Sequence, residues 1–100
     1  MRLTPHQQTA INTAAKNNFG QNVGVWLFGS RADDSKKGGD IDLLIRPDPD
    51  AADQLFVKKV RLLSQLERDL GQRKIDVVIE SPHDTRPIVA IAHATGVKLT

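Results

Sequence analysis

Two short apolar runs in this chain carry carboxylates: Asp40 and Asp42 in Asp40-Ile41-Asp42-Leu43-Leu44-Ile45, and Asp76 in Lys74-Ile75-Asp76-Val77-Val78-Ile79. Aspartate is depleted in strands, and burying an unpaired carboxylate is costly, so each of these side chains needs a compensating partner. Side chains alternate along extended backbone, which puts Asp40 and Asp42 on one face and Ile41 and Leu43 on the other. A carboxylate pair suits a hard cation such as magnesium, which takes oxygen ligands, keeps several waters and binds through one or two carboxylates plus substrate phosphates. If the second run lies beside the first, Asp76 joins the pair, and three acidic groups can hold two ions.

A phosphate-gripping turn precedes the pair. Gly29-Ser30-Arg31-Ala32 follows the apolar run Val23-Gly24-Val25-Trp26-Leu27-Phe28, which reads as a buried strand that the chain leaves at glycine. Such a turn offers backbone N–H groups and a hydroxyl to phosphate, especially where it opens a helix. Gly29, Ser30 and Arg31 are therefore candidate nucleotide contacts, and Asp40, Asp42 and Asp76 candidate catalytic and metal-binding residues.

The elements that must position these residues are legible. Thr4-Pro5-His6-Gln7 reads as a capping box with proline at the first helical position, opening a helix that runs to about Asn18 and ends near Gly20. Lys36-Lys37-Gly38-Gly39 is expected to be a mobile loop, and Pro47-Asp48-Pro49-Asp50 ends the second strand. Ala52, Leu55, Phe56, Val60, Leu63, Leu66 and Leu70 recur at three- and four-residue steps, predicting an amphipathic helix that covers the sheet and stops at Gly71. The Asp76 strand, a turn at Ser81-Pro82, a helix over about 85–94 and a short strand at 97–99 complete an α/β order with a mixed sheet flanked by helices.

Composition narrows the function. No cysteine is present, which excludes disulfides, thiolate zinc sites and thiol catalysis, so any metal must be held by oxygen or histidine. Fourteen basic residues are scattered among twelve acidic ones, giving a net charge of only +2, and direct nucleic-acid binding is not expected. No apolar run approaches the roughly 20 residues of a membrane span, and the first residues lack the apolar core of a signal peptide, so the expected location is cytoplasmic. The 100 residues read as one domain without repeat or linker.

Taken together, Gly29, Ser30, Asp40, Asp42 and Asp76 make the chain resemble a minimal nucleotidyltransferase of the DNA polymerase β superfamily, whose signature is Gly-Ser, a spacer, Asp-x-Asp and a later strand aspartate. Relatives often carry a slightly longer spacer with Ser or Thr before the first aspartate; here nine residues, Arg31 to Gly39, intervene and Gly39 holds that place. The resemblance implies the polymerase β-like fold, ATP as substrate and two magnesium ions on Asp40 and Asp42. It also implies that Asp76 completes the ion nearer the attacking hydroxyl, while Gly29 and Ser30 hold the outer phosphates.

Small stand-alone members of that family are commonly antitoxins that act beside a HEPN-type ribonuclease toxin, and some transfer AMP to a tyrosine of it. Protein adenylylation of such a partner is therefore the leading expectation. The rivals are a non-catalytic antitoxin that neutralises by covering its partner, and nucleotidyl transfer to a small molecule.

Each residue also has a blander role available. Asp40 and Asp42 can mark a solvated strand end, Asp76 can pair with Arg73 or Lys74, Ser30 can cap a helix, and Arg31 and Arg86 can form ordinary surface pairs. Trp26 reads as core and not as a stacking platform. His6, His83 and His93 lack ligand spacing and are assigned to the surface, and Lys58, Lys59 and Arg61 to a solvated helix face.

Overall fold

The computed structural model describes residues 1–33, 35 and 39–100, and the loop expected at Lys36-Lys37-Gly38 lies outside the described residues. The elements in chain order are helix α1 (Pro5–Phe19), strand β1 (Gly24–Phe28), a 3₁₀ turn (Gly29–Arg31), β2 (Ile41–Arg46), a second 3₁₀ turn (Pro49–Ala51), α2 (Leu55–Leu70), β3 (Ile75–Ile79), α3 (Pro87–Thr95) and β4 (Val97–Lys98). The four strands form one mixed sheet in the order β3-β2-β1-β4, with β1 antiparallel to both β2 and β4, and β2 parallel to β3. The expected α/β class with a mixed sheet flanked by helices is what forms.

Local chemistry accounts for the ends of the elements. The Thr4 hydroxyl accepts the Gln7 N–H at 3.1 Å while the Gln7 amide oxygen accepts the Thr4 N–H at 2.9 Å, so the capping box closes in both directions. Strand β2 stops where two prolines withdraw their N–H groups. Between them Asp48, only 7% exposed, accepts from the N–H groups of Asn22 and Asp50 at 3.1 Å each. These bonds hold the Asp48 carboxyl below its ordinary range.

Strand alternation sorts the core into two faces. Val25, Leu27, Ile41, Leu43, Ile45 and Val77 point to one side and pack against Ile11, Ala14, Ala15 and Phe19 of α1 and Leu62, Leu66 and Leu70 of α2. On the opposite side Trp26, Phe28 and Leu44 meet Val89 and Ala92 of α3. The second cluster is the smaller, and α3 covers only part of that face. Asp42 and Asp76 belong to this less covered side by their alternation with Leu44 and Val78.

The start of α2 differs from the expected stripe. Leu62, Leu66 and Leu70 are buried, but Phe56 is 79% and Val60 46% exposed, and Ala52 lies outside the helix on the surface. Leu55 and Leu63 pack against the core as expected, Leu62 takes the inward place expected of Val60, and Phe56, Val57 and Val60 are left in solvent. Lys58, assigned above to the solvated face, is largely covered: its ammonium donates to the Ala51 carbonyl at 2.9 Å and to Asp53 at 2.8 Å. The helix therefore carries a polar anchor where periodicity alone reads a free surface.

Candidate active site

Register places the site. Asp42 is paired across the parallel β2/β3 ladder with Asp76, and across the antiparallel β1/β2 ladder with Phe28. Residues paired across a ladder point to the same face, so the two carboxylates stand side by side. Immediately after Phe28 the chain turns at Gly29, so the Gly-Ser turn sits over the same end of the sheet. Gly29 has φ +74°, and a Cβ added there would collide with Asp42 Oδ2. Only glycine satisfies both demands, a left-handed backbone and a carboxylate packed against it.

The electrostatics of Asp42 show an excess of negative charge. Its carboxyl is pushed above the ordinary 3.8, first by burial, then by the charges of Asp76 and Asp40 and a hydrogen bond with Asp76; Lys74 offsets part of the effect. Asp40 lies just before β2, and its Oδ2 is 3.8 Å from Lys74 Nζ; Asp76 Oδ2 is 3.9 Å from the same atom. Among the described residues no three carboxylate or imidazole groups converge as a ready cage for a metal ion. The structure brings Asp42 and Asp76 together and sets Asp40 across from Lys74.

That donor set fits a divalent cation. Two hard oxygen donors with uncompensated charge are what magnesium takes from a protein when phosphates and water complete its shell. Asp42 and Asp76 would hold the ion, with Asp40 beside them.

The Ser30 hydroxyl makes no hydrogen bond among the described residues, and the 3₁₀ turn over Gly29–Arg31 has no side-chain cap. The capping role considered for Ser30 is therefore not the one it takes. Arg31 spends its guanidinium on backbone: Nη1 donates to the Arg2 carbonyl at 2.9 Å, and Nε and Nη2 to the Gly39 carbonyl at 3.3 and 3.1 Å. Burial, then the nearby charges of Arg73 and Arg2, lower its pKa, while Asp40 opposes them. Arg31 thus ties the residue before Asp40 to the N-terminal segment. Arg2 reciprocates, donating from Nη2 to the Ser30 carbonyl at 3.0 Å and from its N–H to the Arg31 carbonyl at 2.8 Å.

A family model described as "Polymerase beta, Nucleotidyltransferase" matches residues 9–99. The chain belongs to this family. No curated protein matches it. The match spans both aspartate strands and the Gly-Ser turn, so the polymerase β-type nucleotidyltransferase fold carries the site just described.

Around these residues the sequence does not anticipate Arg2, whereas it names Lys74 only as a partner available to Asp76, which the 3.9 Å contact bears out. Arg2 lies 28 residues from Ser30, and nothing in its surroundings in the chain signals the contact. Lys74 did leave a signal: Lys74 and Asp76 alternate as Asp40 and Asp42 do, so pairing the strands brings all four to one side. Arg86, by contrast, behaves as the blander reading had it, donating to Asp84 at 2.7 Å and to the Ile79 carbonyl at 2.6 Å. Asp84 is held well below the usual carboxylate range, chiefly by that guanidinium.

Proposed function

We propose that this nucleotidyltransferase moves AMP from ATP to a hydroxyl of a partner protein, a tyrosine of a HEPN-type ribonuclease toxin, and so acts as an antitoxin. The observation that carries the transfer chemistry is the in-register pair Asp42 and Asp76 beside the Gly29-Ser30 turn. In the reaction the acceptor oxygen bonds to the α-phosphorus, the bond to the bridging β-phosphate oxygen breaks, and pyrophosphate leaves with that electron pair. Bound magnesium supplies charge neutralisation for the phosphates. Asp42 and Asp76 would hold the cation, with Asp40 alongside. The Gly29 backbone and Ser30 hydroxyl position the outer phosphates, Arg31 holds the loop that ends at Asp40, and Asp76 takes the proton of the acceptor hydroxyl.

A protein acceptor is supported by apolar surface beyond what the fold buries. Phe56, Val57 and Val60 on α2 and Ile88 and Ile91 on α3 are 39% to 79% exposed. The two groups lie on opposite faces of the sheet, and each is exposed apolar surface of the kind that protein interaction sites use. The same feature favours the second reading, an antitoxin that works by covering its partner.

One experiment separates the two. The protein encoded beside this one is incubated with it, magnesium and ATP, and weighed intact. A gain of whole AMP units that disappears with Asp42→Asn establishes transfer, whereas a stable complex without added mass establishes neutralisation by binding alone.

A further inference from the structure

Four charged side chains, Asp40, Asp42, Lys74 and Asp76, make a square of neighbouring ladder positions at the start of the parallel pair by register. Ile41 pairs with Ile75 and Asp42 with Asp76, so Asp40 and Lys74 occupy the preceding rung on the same face. The Ile41 N–H donates to the Lys74 carbonyl at 3.1 Å, which fixes that rung by backbone. Lys74 is the one cation of the square, against three carboxylates. Its ammonium sits between two of them, 3.8 Å from Asp40 just before β2 and 3.9 Å from Asp76 on β3. All three side chains are more than half exposed, so neither ion pair is locked in place by packing. The arrangement is a weak, divided ion pair that a stronger cation can replace.

We propose that Lys74 is the site's built-in counter-ion: it holds Asp40 and Asp76 while no metal is bound and is displaced from them by the divalent cation. This rests on the reading of Asp42 and Asp76 as cation ligands with Asp40 beside them, and adds a residue that the reading did not use. An ammonium and a divalent cation compete for the same oxygens at short range, and charge favours the divalent ion. Once released, Lys74 keeps its anchor on β3 and swings its flexible stem over the site, where the phosphates of a nucleotide would meet its charge. Cation binding and nucleotide binding are thereby coupled through one side chain.

The test uses Mn²⁺ alone as probe and two readouts that need no turnover. Acetylation of each lysine by an N-hydroxysuccinimide ester is followed by peptide mass mapping, with Lys59 as an internal reference. Saturating Mn²⁺ is expected to raise the rate at Lys74 several-fold and leave Lys59 unchanged. Free Mn²⁺ is followed by electron paramagnetic resonance, and Lys74→Met is expected to tighten Mn²⁺ binding by about fivefold, with Lys74→Arg restoring the weaker affinity. If Mn²⁺ binds in an Asp42-dependent way but Lys74 labelling stays the same or falls, the counter-ion role is overturned and the cation site stands. If Mn²⁺ does not bind to the wild-type protein, both fall together.

Discussion

At one end of the sheet face that carries α3, Asp42 stands beside Asp76, with Asp40 close enough to add its charge. At the other end, Trp26 lies beneath two cations, with the Arg46 guanidinium 4.9 Å and the Lys98 ammonium 5.5 Å from its ring, while His93 meets it edge-on at 4.5 Å. His93 in turn bonds Glu80 at 2.7 Å. The far end is complete in itself: each of these groups has a ring or a hydrogen-bond partner of the same chain. The near end keeps more negative charge than Lys74 can balance. Such an imbalance costs stability, and under the proposed function it is the place where phosphates and a cation would complete the site.

The largest effect should come from removing charge at the unbalanced end. Asp42→Asn is expected to lower AMP transfer by about a thousandfold, the scale of losing a principal electrostatic group in a transfer reaction. The same change relieves repulsion with Asp40 and Asp76, so the melting temperature should hold or rise. Transfer is followed by acceptor mass and stability by calorimetry. A protein that loses both activity and stability would show Asp42 to be structural and would end the contrast between the two ends.

The balanced end should respond in the opposite sense. Trp26 is 8% exposed and packs with Phe28, Leu44, Val89 and Ala92. Truncation to alanine is expected to cost about 3 to 5 kcal/mol, the usual range for a large aromatic core residue. Urea denaturation measures this loss, and transfer per folded molecule should change little. A thousandfold fall in that specific rate would instead make Trp26 part of the nucleotide site.

How far the sequence disclosed this contrast depends on whether the signal was local. The capping box, the alternation of Asp40 with Asp42 and the glycine turn are each set by residues within a few positions, and each could be read directly. The pairing of Asp42 with Asp76 could be anticipated but not registered, because a shift of one residue would have turned Asp76 to the other face. The α2 stripe held at Leu55, Leu63, Leu66 and Leu70 and missed at its N-terminal part for a related reason. Leu62 and Val60 both satisfy a three-or-four-residue period, and only packing against α1 decides which turns inward. Arg2 and Arg31, joined across the chain through backbone carbonyls, left no pattern at all.

A smaller effect is expected at Gly29. With φ +74° and Asp42 Oδ2 in the place of a side chain, Gly29→Ala forces both backbone and carboxylate to move. The backbone part alone should cost about 1 to 2 kcal/mol. Displacement of Asp42 should then reduce transfer by more than the stability loss explains. Comparing Gly29→Ala with Gly71→Ala isolates that second part, because Gly71 also has positive φ but nothing within 4 Å of its Cβ position. Equal behaviour of the two variants in transfer would mean that the turn does not position Asp42.

The finest distinction is in the sign of the pH dependence. The Asp42 carboxyl is raised above 3.8 in the folded protein, so the folded state keeps its proton to higher pH than the unfolded chain does. Its contribution therefore favours folding at low pH and is lost as pH rises through the folded value, leaving an adverse charge at neutrality. Asp48 and Asp84 are depressed, so their contributions are present above 3.8 and disappear as pH falls through their folded values. Subtracting the wild-type stability curve from that of Asp42→Asn cancels the common depressed groups and leaves the Asp42 part. The difference should grow in favour of the variant from about pH 3 toward pH 7. Divalent cation should shrink it by stabilising only the wild type. A difference that is flat with pH, or that grows toward acid, would mean the carboxylate is already balanced within the chain and that the two ends of the sheet face do not differ in kind.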